Sequence, residues 1–123
     1  MKILVTDDSK MARKMVIKIL NDVLNENVEV FEGQNGQEAF DLYKEHLPEI
    51  VFLDLTMPVM NGFEALSKIK EFDKNAKVVI ISADIQKLSM DKALQLGAFN
   101  FIKKPIDLEK MQQIISKINE LDK

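Results

Sequence analysis

Residues 1–10 read MKILVTDDSK, an apolar run from Ile3 to Val5 that stops at Thr6 and then at two adjacent carboxylates, Asp7 and Asp8. Adjacent like charges repel, and the cost rises when they are held away from bulk water unless a cation lies between them. The stretch is that of a buried strand whose end is built to hold something positive. Further short apolar runs follow at "VEVF" 28–31, "IVFL" 50–53, "VVII" 78–81 and "FNFI" 99–102. Between them lie segments with apolar residues three or four apart, such as Ala12, Val16, Ile19, Leu20 and Val23, or Phe63, Leu66 and Ile69. A last helical stripe carries Leu108, Met111, Ile115 and Ile118 behind Asp107, which suits an N-cap. Strand and helix therefore alternate five times. Strands that are apolar without alternation are buried on both faces, and right-handed helical crossovers then imply an α/β fold with a parallel sheet covered on both sides.

The 123 residues suffice for one hydrophobic core, so residues 1–123 are expected to form a single domain. Hydrophobic content of 46% and charged content of 30% suit a soluble globular chain. Seventeen basic against twenty acidic residues give a formal charge of −3, with no basic cluster to track a phosphate backbone, which argues against direct nucleic-acid binding. The absence of cysteine excludes disulfides and thiolate metal sites. Lys2 precedes too short an apolar run for a signal peptide, and no later run could span a bilayer, so a cytoplasmic location is expected. No repeat, linker or low-complexity tract stands out.

In an open parallel sheet, ligands gather at the carboxyl ends of the strands. The first run ends in Asp7 and Asp8, the third in Asp54, the fourth in Ser82, and the fifth in Lys104 before Pro105. If the first and third strands are neighbours, about 4.8 Å apart, the three acids converge on one point. A hard divalent cation would resolve their repulsion. Magnesium suits carboxylates, a backbone carbonyl and water.

The stretches "VTDDS", "VFLDLTMPVMNGFEAL", "VVIISA" and "GAFNFIKKP", in this order and spacing, resemble the receiver domain of two-component response regulators over essentially the whole chain. The resemblance implies a flavodoxin-like (βα)5 three-layer sandwich with strand order 2-1-3-4-5. It also implies that Asp54 is a phosphoacceptor taking a phosphoryl group from a sensor histidine kinase or a histidine phosphotransfer protein. Asp8, Asp54 and the Thr56 backbone carbonyl would ligate Mg2+, with Mn2+ able to substitute, and Asp7 would act mostly through metal-bound water. Lys104, after a cis bond to Pro105, and Ser82 would each contact a phosphoryl oxygen. Ser82 and Phe101 would form the switch, and Thr56 and Asp84 would modulate dephosphorylation. The protein would then catalyse only its own phosphorylation and dephosphorylation, and would not be an enzyme acting on other substrates.

The resemblance places the output on the fourth helix, fifth strand and fifth helix, with Lys87, Met90, Asp91, Lys103 and Gln112 expected to meet a partner beside Phe101. The last helical stripe ends near Leu121, so signalling by partner binding is expected, through a monomer, in chemotaxis or in a phosphorelay, with a phosphatase as a further partner. Plainer roles compete for several of these residues. An acid before a helix is commonly an N-cap, though Ser9 could do that work. The methionines, including Met11, Met15, Met57 and Met60, suit core packing, and His46 suits a solvated surface position. Two other functions also compete. A phosphohydrolase of the haloacid dehalogenase type also forms an aspartyl phosphate, but its nucleophile follows the first strand and a cap domain covers it. A flavodoxin-like cofactor binder needs a phosphate-cradling loop after the first strand, where "DDSK" would repel the anion.

Overall fold

The structure, a computed structural model, describes residues 1–24, 28–83 and 86–121. Five strands, β1 (Lys2–Thr6), β2 (Glu29–Gly33), β3 (Ile50–Leu53), β4 (Val78–Ser82) and β5 (Asn100–Lys103), alternate with five helices. The helices are α1 (Lys10–Val23), α2 (Gly36–His46), α3 (Gly62–Phe72), α4 (Lys87–Gln95) and α5 (Leu108–Leu121). All strand pairs are parallel, in the order β2-β1-β3-β4-β5. This is the expected doubly wound sheet.

The continuous apolar strands feed two cores by alternation. Leu4, Val51, Leu53, Val78 and Ile80 face α2 and α3 on one side, while Ile3, Val5, Ile50, Phe52, Val79 and Ile81 face α1 and α5 on the other. Burial on both faces holds for the three inner strands only. β2 and β5 are edges and stay half-exposed, because each has one neighbouring strand and part of each face reaches solvent.

Local chemistry starts the helices where the sequence places polar caps. Ser9, Asn35 and Asn61 each accept the amide three residues on, from Ala12, Glu38 and Glu64, and Asp107 accepts from Lys110 as expected. Each such cap contributes on the order of 1 kcal/mol by satisfying an amide that the helix cannot.

Two expectations need correction. Met57 and Met60 are buried, but Met11 is 75% exposed and Met15 half-exposed, because the inward stripe of α1 runs through Arg13, Val16 and Leu20 instead. His46 is not a solvated surface residue. Its ring is half-buried and stacks on Phe31 at 3.8 Å between centroids.

Tyr43 of α2 reaches beyond its helix and donates its hydroxyl to Asp73 Oδ2 at 2.7 Å. Burial, then the bond and charge of Asp73, push the phenol well above its ordinary range, whereas that bond and the Asn75 amide hold Asp73 below the usual carboxylate range. An acid whose folded pKa is depressed adds stability above its unfolded value, and that stability disappears as pH falls through the folded one. Tyr43→Phe, which keeps the edge-on packing against Phe72, should therefore lose about 1 kcal/mol at neutral pH, the typical net value for a hydrogen bond and below that for a buried charged acceptor because Asp73 is partly exposed. The deficit should shrink below pH ~4, near the unfolded carboxylate value. Urea unfolding of both proteins across pH measures it, and a deficit independent of pH would contradict the assignment.

Candidate phosphoryl-transfer and metal site

The register of the sheet sets the site. Thr6 of β1 pairs with Leu53 of β3, so the residues that follow, Asp7 and Asp54, leave the sheet side by side. The Asp54 amide donates to the Thr6 carbonyl at 3.1 Å, which ties the two strand ends together. Ser82 pairs with Lys103 one strand further along, and the Lys104 amide donates to the Ser82 carbonyl at 2.9 Å. Four of the expected residues thus end up on one rim for a topological reason.

Asp7, Asp8 and Asp54 offer carboxylate oxygens that all lie within 4.8 Å of one another. Asp7 and Asp54 are buried and Asp8 is exposed. Lys104, after which the peptide to Pro105 is cis, turns inward and donates to Asp7 Oδ2 at 2.7 Å, with Asp54 Oδ1 at 3.5 Å. Three carboxylates against one ammonium leave two negative charges, the deficit that a divalent cation fills. The donor set is all oxygen, open on the Asp8 side, and fits a hard cation such as Mg2+.

Asp7 is the most constrained of the three. Its Oδ1 accepts the Ser9 amide at 2.9 Å and its Oδ2 takes Lys104, so both oxygens already have donors. Asp54 sits above an apolar cavity of about 100 Å3 lined by Val5, Val16, Phe52, Ile81 and Ile106, among others. Burial raises its carboxyl pKa and the Lys104 ammonium pulls it down; Asp7 and Asp8 push it up again, and the net direction is upward. Burial alone would depress Lys104, but its bonds to and the charges of Asp7 and Asp54 more than offset this, and its pKa is raised.

Other expected residues are less tightly gathered. Thr56 lies exposed in the loop after β3, Ser82 is fully buried at the end of β4, and Phe101 of β5 is half-buried against the α2–α3 core. Asp84 lies outside the described residues.

Sequence alone does not reveal the groups that hold this rim in place. Gly62, first residue of α3, lies so close to Asp54 that an added Cβ would sit 2.3 Å from the Asp54 carbonyl oxygen, so no larger residue fits there without moving the phosphoacceptor candidate. Val59, in the same loop, is held at φ 68°, a conformation costly for a β-branched side chain. Arg13 donates to the Asp7 carbonyl. Its place on the stripe with Val16 and Leu20 is the one signal in the sequence, since an arginine at a core-facing position requires a partner.

Comparison with known proteins agrees with this geometry. The response regulator receiver domain family matches residues 3–116. The chain is 40% identical to the chemotaxis protein CheY of Bacillus subtilis, covering 94% of this chain and 95% of that one. It is 32% identical to sporulation initiation phosphotransferase F of the same organism, over 94% of this chain and 91% of the relative. Among solved structures, a CheX–CheY–BeF3–Mg complex from Borrelia burgdorferi superposes with a TM-score of 0.88 at 38% identity, covering 96% of this chain and 88% of that one.

Replacing Lys104 by Met removes the ammonium that lowers the Asp54 pKa while burial and two acids remain, so the Asp54 carboxyl pKa should rise further. Carbon-13 carboxyl NMR titration checks this, and an unchanged or lower value would show that Lys104 does not govern Asp54.

Proposed function

This chain belongs to the response regulator receiver family, and on that premise we propose that Asp54 accepts a phosphoryl group from the phosphohistidine of a sensor kinase or phosphotransfer protein. Receivers of this kind are signalling proteins and not enzymes in the ordinary sense. The observation that carries the reading is the convergence of Asp7, Asp8 and Asp54 within 4.8 Å with Lys104 bonded into the cluster.

An Asp54 carboxylate oxygen attacks phosphorus in line, the P–N bond to histidine breaks, and the imidazole leaves with its electron pair. The product is an aspartyl phosphate. Asp8, Asp54 and the Thr56 carbonyl would hold Mg2+, which when bound would neutralise charge on the phosphoryl oxygens. Asp7, whose two oxygens are already engaged by the Ser9 amide and Lys104, would act on the metal through water and not as a direct ligand. Lys104 exchanges part of its contact with the acids for a phosphoryl oxygen, and the Ser82 hydroxyl takes another. Thr56, exposed in the loop after β3, would modulate loss of the phosphoryl group to water; the matching role that the resemblance implies for Asp84 falls outside the described residues. No histidine base is needed, since positioning and electrostatics carry the transfer.

Output is read on α4, β5 and α5. Among the described residues of α4 only Ala93 is buried, and Leu88 stands 81% exposed, so the helix is held by little apolar surface. Elements anchored this lightly are the ones that move at low cost. Drawing Ser82 toward phosphate opens room for Phe101 to turn inward and biases a two-state equilibrium. Phe101 and Met90 border a groove carrying Lys103, Lys110 and Lys117. Exposed Lys87, Asp91 and Gln112 frame the same face, which is where a target protein would bind. Chemotaxis is the reading that the 40% identical relative favours; the phosphotransferase relative supports a relay role, and phosphoryl transfer onward to a histidine phosphotransfer domain would distinguish it. A haloacid-dehalogenase-type phosphohydrolase is disfavoured because Asp54 follows the third strand.

Acetyl phosphate should add one phosphoryl group to the protein, seen by intact-mass spectrometry, only when Mg2+ or Mn2+ is present, and Asp54→Asn should add none. Acceptance by the Asn variant at another residue would overturn the site. With beryllofluoride as phosphoryl mimic, amide shifts should spread from Asp54 through Ser82 to Phe101 and α4. Shifts confined to the loop after β3 would place the output elsewhere.

A further inference from the structure

Arg13 is buried on α1, one turn beyond the acids, and is 7% exposed. Its Nη1 donates to the Asp7 carbonyl at 2.7 Å, and its Nε donates to Glu32 Oε1 of β2 at 2.9 Å. With the Asp7 amide donating to the Gly33 carbonyl at 3.1 Å, every hydrogen-bonding group of Asp7 is engaged; one of its partners, Gly33, lies on the β2 edge, and a second, Arg13, is itself bonded to Glu32 of that edge. Burying a guanidinium beside one half-exposed carboxylate adds little net stability, since desolvation offsets the attraction. What the pair does supply is direction. Two donors fixed on one planar fork satisfy two acceptors on different elements, which an ammonium cannot do.

We infer that Arg13 is a positioning residue for cation binding: by clamping the Asp7 carbonyl against β2 it holds the β1–α1 turn so that the carboxylates of Asp7 and Asp8 face Asp54. The inference rests on the metal-binding reading above. It makes a prediction opposite in sign to simple electrostatics. Arg13 is a positive charge next to an acidic site, so deleting it should tighten cation binding if charge were all that mattered. Loss of positioning should weaken it, and outer-shell partners of metal ligands typically contribute about tenfold or more to affinity.

The test is Mg2+ titration followed by amide NMR on the parent, Arg13→Met and Arg13→Lys, with hydrogen exchange of the Ser9 amide measured on each without metal. Arg13→Met should bind Mg2+ about tenfold more weakly. Arg13→Lys keeps the charge but satisfies only one acceptor, and should also bind more weakly than the parent. In both, the Ser9 amide, which donates to Asp7 Oδ1, should exchange faster. Affinity equal to or tighter than the parent's in either variant, or unchanged Ser9 exchange, overturns the inference. If Arg13→Met does not fold, the affinity and Ser9 exchange of Arg13→Lys decide between the two outcomes. A parent that binds no Mg2+ would defeat the functional reading instead, and the Ser9 exchange would still decide the positioning.

Discussion

Three carboxylates brought to one point by sheet register are the constraint around which the rest of this molecule is arranged. Their mutual repulsion acts over an apolar cavity, where it is screened less than in water. A single ammonium, Lys104, is drawn in from the end of β5 and shared between Asp7 and Asp54. The neutralisation is incomplete, and on the proposed function the incompleteness is useful: the charge left over would attract a divalent cation and, through that cation, a phosphoryl group.

The same arrangement weakens the fold locally. A buried acid whose pKa is raised favours its neutral form, so keeping Asp54 ionised at neutral pH costs folding free energy. Val59 at positive φ and the tight approach of Gly62 to the Asp54 carbonyl add strain or leave no slack in the adjoining loop. The well-packed inner strands bear these costs. β1, β3 and β4 are buried on both faces, so the rim they end in is rigid even though its charges are unfavourable.

Away from the rim, anchoring is uneven. α1 and α5 bury broad stripes in one core and α2 and α3 in the other, while α4 buries little beyond Ala93. A signal generated at a rigid site is most readily expressed in the element with least to lose by shifting, and α4 adjoins both β4, which ends in Ser82, and β5, which carries Phe101.

Much of this is written in the linear sequence. Apolar runs of strand length, helical stripes between them and polar residues at the run ends suffice for a parallel α/β sheet with Asp7, Asp8, Asp54, Ser82 and Lys104 at strand ends, because alternation, period and strand-end chemistry are local properties; the family resemblance adds the order 2-1-3-4-5, which makes the first and third strands neighbours and so gathers the acids. Edge position is not legible, so β2 and β5 look like inner strands until the sheet gives each of them one neighbour. Met11 and Met15 look like core until Arg13 takes the inward face of α1, and His46 looks solvated until Phe31 comes to lie against it. The Arg13 clamp to Asp7 and Glu32, the Tyr43 bond to Asp73 and the contact of Gly62 with Asp54 all join residues from different elements. Such contacts depend on distances through space that only chain packing sets, and no periodicity along the chain encodes them.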